Sequence, residues 1–376
     1  MRPALTVLAC TGLLLAAPAR AQDTPGDASG EPSATPPEAI DKLVLPAPPV
    51  ACTLTAKTVA ASFTLELRPG VAYATINRVD AIDAKLPVAT KPAPLVVKLT
   101  AQDVKLEGVV DAAALPLHAA RPFVAGDLFV PGPSVSIAWT AAKAGQVDVS
   151  MEIDATTKGA IAGVTGPLRA TRPCADLSLE QSSDFDRFRA VGARSAEARH
   201  TFAGDAPISI AAKPGGRTTA QLRPPSSSSN LLANVVVIQK KKPWARIAYD
   251  TMDFLIVGWV REGDVRPLPP ADLIGEAFGA GGLGQVGVGE GHGTRGTFTC
   301  KQAVPLIAEV GVERLIVGSV GAGVGMSVDT TVGDLLPVRL ASFSSFEAAA
   351  GAQFLVRRSD VERCPGFDAP AKKRGR

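Results

Sequence analysis

The sequence predicts an all-β protein, built as tandem small β-barrels behind an extended N-terminal β domain. Three observations carry that expectation. The 376 residues hold 36 glycines and 31 prolines, a density that interrupts long helices and suits short strands joined by turns. Apolar residues recur in short runs that alternate, or that are bounded by glycine, proline or charge. Stretches of roughly 65 residues also resemble one another, as repeated structural units do. Aromatic residues make up only 5% of the chain, so the core is expected to be mostly aliphatic.

In chain order, the first feature is a leader. Met1 and Arg2 precede an apolar run from Ala4 to Ala17, interrupted only by Thr6, Thr11 and Gly12. Ala19-Arg20-Ala21 has the A-x-A form of a cleavage site, so residues 1–21 read as a secretory signal peptide. Val7-Leu8-Ala9-Cys10 loosely resembles a lipidation site, which leaves open whether Cys10 carries a lipid. No later stretch reaches the roughly 18 apolar residues of a membrane span. The predicted location is therefore outside the cytoplasm: periplasm, cell envelope or extracellular space. The formal charge of +3 falls to about +1 once Arg2 and Arg20 leave, which argues against a nucleic-acid partner.

Residues 22–50 are rich in Pro, Ser, Ala and acids and read as a disordered linker. Ser62 to Leu67, Val135 to Trp139 and Val147 to Ile153 alternate, placing every second side chain on a core face. Val235 to Gln239, Ala245 to Tyr249, Leu315 to Val317 and Phe354 to Val356 are further candidate strands. Asp184 to Ala198 is the main helix candidate, and Phe346 to Ala352 a weaker one. Ser226 to Ser229 lie in a polar loop, residues 271–298 form a Gly-rich linker or loop, and residues 368–376 a basic disordered tail.

The repeat rests on two kinds of match. Val260-Arg261-Glu262-Gly263-Asp264-Val265 parallels Val356-Arg357-Arg358-Ser359-Asp360-Val361, with a weaker counterpart at Gly163 to Leu168. Apolar residues around a proline open each unit, at Ala114 to Ala119, Ala206 to Ala211 and Ala303 to Ala308. The expected organisation is an N-terminal β domain over 51–175 that includes the first unit, a second unit over 204–267 and a third over 299–367. Residues 51–105 have no parallel and are expected to be strands that enlarge the first unit. Besides Cys10, four cysteines remain, an even number that suits two disulfides in an oxidising compartment. Three pairings exist. Cys52 with Cys174 and Cys300 with Cys364 are favoured, because each pair brackets a repeat.

Motifs for chemistry are sparse. Gly282 to Gly287 spells GxGxxG, but glycine continues on both sides and no helical pattern follows to receive a phosphate. His118, His200 and His292 are far apart and form no metal-hydrolase motif. Asp184 and Asp186 suit a helix start, and nothing selects a carboxylate pair for hydrolysis. No cofactor and no metal are expected.

The middle unit carries a resemblance. Ile208 to Gly216, Thr219 to Leu222, Asn234 to Ile238, Trp244-Ala245-Arg246-Ile247 and Gly258-Trp259-Val260 together resemble the bacterial SH3-like (SH3b) domain, in which W-x-[RK]-[VI] and G-W-[VI] follow a hydrophobic strand. The resemblance covers residues 204–267 and reaches the flanking units only through the repeat. It implies SH3-like barrels that bind peptide, cell-wall or protein ligands. Trp244, Tyr249 and Trp259 are candidate ligand-binding residues, against a plain role in core packing. Lys240, Lys241 and Lys242 are candidates for contact with an anionic polymer. The expected function is non-enzymatic binding or scaffolding at the cell envelope, with a cell-wall polymer or envelope protein as partner. The alternatives are an accessory subunit of an envelope assembly, or a hydrolase without a recognisable motif. Oligomeric state is not set by any of these residues.

Overall fold

The computed structural model describes residues 40–45, 48–182, 186–193, 199–225, 234–268, 297–328, 333–340 and 345–367. The expected signal peptide with Cys10, the Ser-rich loop, the GxGxxG with His292 and the basic tail lie outside the described residues. So do most of the expected linkers at 22–50 and 271–298.

Alternation builds the N-terminal part. Along Leu95–Ala101, Leu95, Val97, Leu99 and Ala101 are buried while Lys98 points outward. Gln102 and Asp103 then turn the chain with positive φ values of 50° and 64°, a hairpin geometry that usually recruits glycine. The Asp80 carboxylate accepts a 2.7 Å hydrogen bond from the Gln102 N–H and helps to hold that turn. Val50–Ala56, Ala81–Pro87, Leu95–Ala101 and Val104–Val110 lie side by side, all antiparallel. Val59–Glu66 and Ala72–Val79 form a hairpin that meets the last of these where Glu66 faces Val109. Residues 51–105 are thus strands, joined by turns.

Three later stretches share one order of pairings. In the middle stretch, Arg199–Phe202 opens and pairs with the closing strand Val265–Pro267. Between them Asn234–Lys241, Trp244–Asp250 and Phe254–Arg261 form an antiparallel meander, and the 3-10 turn Glu262–Asp264 leads to the closing strand. A small hairpin, Ile208–Ile210 with Ala220–Leu222, precedes the meander. In the first stretch, His118–Ala119 pairs with Leu177–Ser178. Its meander is Ala138–Lys143, Gln146–Met151 and Leu168–Pro173, followed by the 3-10 turn Cys174–Asp176. In the last stretch, the Thr299 N–H donates to the Pro365 carbonyl at 3.3 Å. Gly325–Val328, Leu335–Leu340 and Ala352–Arg357 are its meander, Arg358–Val361 its helical turn, and Val304–Val310 with Glu313–Val320 its hairpin.

The chain is all-β, but it is not a row of separate closed barrels. Among the described residues no sheet closes on itself. Val104–Val110 pairs with Glu313–Val320, so the N-terminal strands and the last stretch share one sheet of fourteen described strands. Gly318 makes this seam sterically feasible. A Cβ there would stand 1.9 Å from the Lys105 carbonyl oxygen. The seam crosses the expected boundary between residues 51–175 and 299–367, because a hairpin edge takes whichever partner completes its hydrogen bonds.

Other local expectations also differ from the structure. The counterpart of Val260 to Val265 is not Gly163 to Leu168, which spans a bend and the start of a strand. By pairing order it is Arg172 to Leu177, where Arg172 and Asp176 form an ion pair. The helix expected over Asp184 to Ala198 is a single turn, Arg187–Ala190, capped by the Asp186 carboxylate and ended at Gly192, whose φ is +79°. Residues 183–185 and 194–198 lie outside the described residues. Phe346–Ala348 is a strand on the edge of Ala72–Val79 rather than a helix, a case of tertiary pairing overriding local propensity. Within the expected linker at 22–50, Asp41–Lys42 pairs in parallel with Leu315 and Ile316. Both side chains there are exposed, and the segment is held by this pairing together with the next residue, Leu43, which packs against the core.

Two disulfides hold the ends. Cys52 meets Cys174 with Cα atoms 5.8 Å apart, and Cys300 meets Cys364 at 4.7 Å, both inside the usual range of about 4.4–6.8 Å. The first joins an edge strand of the large sheet to the 3-10 turn of the first stretch. The second closes the last stretch on itself.

Candidate functional site

The middle stretch presents the residues singled out by the sequence. Phe254–Arg261 is buried at every position except Arg261, because its sheet is covered on both faces. One face joins the main core. The other face, with Val236, Leu255 and Val257, is covered by Val191, Ala193 and Phe188 around the helical turn. Hence this strand reads as a continuous apolar run instead of an alternation. Gly258 permits close approach of the neighbouring hairpin, since a Cβ would lie 2.5 Å from Ile210 Cγ1.

Burial divides the candidate ligand residues. Trp259 is 7% exposed, and its backbone exchanges two hydrogen bonds with Ala211. Tyr249 is 8% exposed and packs edge-on against Phe202 with ring centroids 5.1 Å apart. Burial first, and then the charge of Asp250, push the Tyr249 hydroxyl above its ordinary pKa. Both side chains are buried and pack in the core, the plain role weighed for them beside ligand contact.

Trp244 differs. It opens its strand half-buried, opposite Lys241 on one side and Arg261 on the other. The Arg261 guanidinium stands 6.0 Å from the indole centroid, at the limit of a cation–π contact. Gly215, with φ +69°, brings the turn after Lys213 against the indole edge. Lys240 pairs with Glu262 at 3.2 Å. Lys241 and Lys242 are exposed and form no ion pair among the described residues. The hairpin end is therefore an aromatic corner with surplus positive charge.

A second feature has the opposite sign. A cleft of about 790 Å³ runs between the first stretch and the 251–253 turn of the middle one. Asp111, Glu152, Asp154 and Asp253 line it, and no Lys, Arg or His does so among the described residues. Local structure positions these acids. Asp111 caps the 3-10 turn Ala112–Ala114, accepting from the Ala113 N–H at 3.0 Å. Asp154 caps the helix Ala155–Ala160, accepting from the Thr157 N–H at 2.9 Å. Burial tends to raise the Asp154 carboxyl, but hydrogen bonds from the Thr157 hydroxyl and from backbone N–H groups outweigh it and hold the pKa below the ordinary value.

Asp253 belongs to a turn that is held on several sides. Its carboxylate accepts from Ser134 Oγ at 3.1 Å, and its carbonyl accepts from the Gly132 N–H at 2.6 Å. Buried Thr251 donates to the Phe254 carbonyl at 2.8 Å, and its hydroxyl lies 2.8 Å from that of Thr157. Arg187 donates to the Met252 carbonyl at 2.7 Å and pairs with Asp250 at 3.0 Å. Met252 itself is 81% exposed and has φ +77°. A bulky residue in that region is strained and persists only where its surroundings impose it.

Trp139 also lines the cleft. It is 5% exposed, and its Nε1 has no hydrogen-bond partner. The sequence placed Trp139 at the end of an alternating strand and assigned it nothing further. The signal available was its rarity, together with two acids two residues apart at Glu152 and Asp154.

Among the described residues no three His, Cys, Asp or Glu side chains gather so as to hold a metal ion. The four described cysteines are paired with one another. The chain matches no protein-family model, no curated protein and no solved structure.

Proposed function

We propose that this chain is an exported, non-enzymatic binding or scaffolding protein of the bacterial cell envelope, built from SH3-like units, and that the middle unit contacts an anionic cell-wall polymer. The order of elements in the middle stretch supports the SH3-like reading: an opening strand paired to a closing one, a three-stranded meander, and a 3-10 turn before the last strand. The first stretch repeats that order, and the last repeats the meander and a helical turn without a closing strand; this supports repetition of the unit. Two cysteine pairs at disulfide distance favour an oxidising compartment. Among the described residues no helix is long and apolar enough to cross a membrane.

One observation carries the ligand assignment. The half-buried Trp244 lies cross-strand from Lys241 and from Arg261, with exposed Lys242 in the adjoining turn, so an apolar ring and two cations share one side of the sheet. A glycan bearing phosphate or carboxylate offers both partners: sugar faces for the indole and anions for the ammonium groups. Co-sedimentation of the purified protein with cell-wall sacculi, intact or stripped of anionic polymer, tests this. Lys241→Glu with Lys242→Glu is expected to weaken retention on intact sacculi about tenfold, if each exposed charge contributes under about 1 kcal/mol. Trp244→Ala is expected to weaken it while leaving the fold cooperative. Retention that ignores all three changes, or that persists on stripped sacculi, refutes the reading.

A further inference from the structure

We propose that the outer edge of Val50–Ala56 is an interface with a second copy of this chain, in which the 53–56 segments of both copies pair antiparallel about a two-fold axis and join two large sheets into one. The joint is independent of the Trp244 corner, which lies in a different sheet.

Two observations of different kinds converge. The first is a set of backbone groups without partners. Val50–Ala56 ends the sheet of fourteen described strands and pairs only with Ala81–Pro87. In an antiparallel ladder, alternate residues direct their N–H and C=O away from the neighbour they pair with. On the outer side of this strand the Gly145 N–H donates to the Ala51 carbonyl at 3.1 Å, and the disulfide to Cys174 covers Cys52. From Thr53 to Ala56, no described residue bonds to that side. The second observation is a missing guard. Sheet edges are ordinarily protected by charge, proline or cover. Four other end strands follow that rule. Leu168–Pro173 carries Arg169, Arg172 and a proline, and Val265–Pro267 carries Arg266 and a proline. Phe129–Pro131 is buried throughout, and Ala138–Lys143 is met by Ala89, which exchanges two backbone hydrogen bonds with Ala142. Val50–Ala56 has neither a charged residue nor a proline.

Charge and pattern select the occupant. An uncharged edge does not repel its own copy, whereas a charged segment would find no counter-charge along this strand. Thr53-Leu54-Thr55 is also its own complement. An antiparallel pair centred on Leu54 sets Thr53 opposite the second copy's Thr55 on the exposed face. It sets Leu54, 4% exposed, beside its counterpart on the core face, so both strands keep their burial pattern. Roughly four backbone hydrogen bonds close such a joint. The nearest charge, Lys57, lies just beyond the strand, and in this register its two copies stand at opposite ends. The strand is placed before a partner arrives, by its buried leucine and by the disulfide at Cys52. At the far end of the sheet, Phe298–Thr299 is already met by the bond from the Thr299 N–H to the Pro365 carbonyl. The same edge therefore serves both copies, and pairing closes at two instead of running on into a fibre.

Sedimentation velocity of the full chain across the micromolar range tests the joint, and a reversible dimer is expected. Thr53→Lys with Thr55→Lys sets like charges opposite one another and is expected to weaken the dimer about tenfold. The melting temperature should not change, because both side chains are exposed. Thr53→Glu with Thr55→Glu is expected to act in the same way. An equimolar mixture of the two variants is expected to recover a dimer holding one copy of each, which a general loss of structure would not do. If the variants do not fold, hydrogen exchange of the unaltered chain reads the same joint. Amides of 53–56 should then slow as concentration rises, while those of 244–250 stay constant. A monomer throughout the range, a dimer indifferent to both variants, a mixture that stays monomeric, or exchange at 53–56 that ignores concentration overturns the proposal.

Discussion

The middle and last stretches share a hairpin followed by a three-stranded meander and a helical turn, and settle into different surroundings. In the middle stretch the small hairpin folds back over its own meander, where Gly258 leaves room for Ile210. In the last stretch the hairpin is longer: its first strand pairs with the meander strand Ala352–Arg357, and its second joins Val104–Val110, where Gly318 leaves room for the Lys105 carbonyl. The last stretch also has a disulfide, while the middle one has helical cover on its outer face. Both hairpins reach beyond their own stretch, but to different extents: Ala220–Leu222 pairs with the short strand Ile161–Ala162, whereas Glu313–Val320 pairs with Val104–Val110 and so enters the sheet of fourteen described strands. A glycine permits the close approach in each place, to a side chain at Gly258 and to backbone at Gly318.

The sharpest break in this comparison is expected at Gly318. A methyl there meets backbone, at 1.9 Å from a carbonyl oxygen, and backbone cannot yield without losing ladder pairs. Gly318→Ala is expected to lower stability by about 4 kcal/mol or to prevent folding. Gly258→Ala meets the buried Ile210 side chain at 2.5 Å and the Ala211 carbonyl oxygen only at 3.0 Å, and is expected to cost less, about 2–3 kcal/mol. Chemical denaturation of the two variants side by side checks the contrast, and equal losses would remove its basis.

Next in size is the pair of tryptophans. Trp259→Ala empties a core position and is expected to cost about 3–5 kcal/mol, whereas Trp244→Ala, at a half-buried corner, is expected to cost about 1–2 kcal/mol. Urea melts distinguish them. The last stretch has its own lever. Cys300→Ser with Cys364→Ser is expected to cost about 2–4 kcal/mol. The loss should appear as early hydrogen exchange in 298–367 while the middle stretch stays protected.

The smallest effect concerns pH. Burial lowers the His118 pKa below its ordinary value, and a hydrogen bond between Nδ1 and the Val135 carbonyl, at 3.3 Å, opposes this only in part. The unfolded chain therefore binds more protons between the folded value and about 6.5. The His118 contribution is fully present above pH 6.5 and is lost as pH falls through that window. Melting temperature should drop between pH 7 and pH 5, and His118→Gln should flatten part of the drop. The Asp154 contribution, from a lowered carboxyl, is lost only at more acidic pH, so the two windows separate.

Strands were legible wherever one face is buried and the other is wet, as in Gln146–Met151, because a period of two is visible in the text. The two cysteine pairings were legible because each pair brackets a repeat, although only Cys300 with Cys364 closes its stretch on itself. What stayed hidden depends on partners far away in sequence. The pairing of Asp41–Lys42 rests on backbone groups that every residue carries. Phe346–Ala348 is a strand only because Ala72–Val79 offers an edge. The end of the first unit was misplaced because its proline and cysteine disguise the Arg172 to Asp176 turn. Of the ligand candidates, Trp244 keeps an open side. Tyr249 and Trp259 do not, since two-sided cover of the sheet was not foreseen. The acidic cleft was invisible because Asp111, Glu152 and Asp253 come from three separate segments.

The seam between Val104–Val110 and Glu313–Val320 has a consequence for how the polypeptide matures. A chain that emerges from its amino end first carries Val104 to Leu106 with their outer hydrogen-bonding edge bare until most of the remaining polypeptide has followed. Contacts so distant in sequence form slowly. Fragments ending before Gly318 should stick to one another at that edge, and a holding chaperone would be needed until the carboxy-terminal strands arrive.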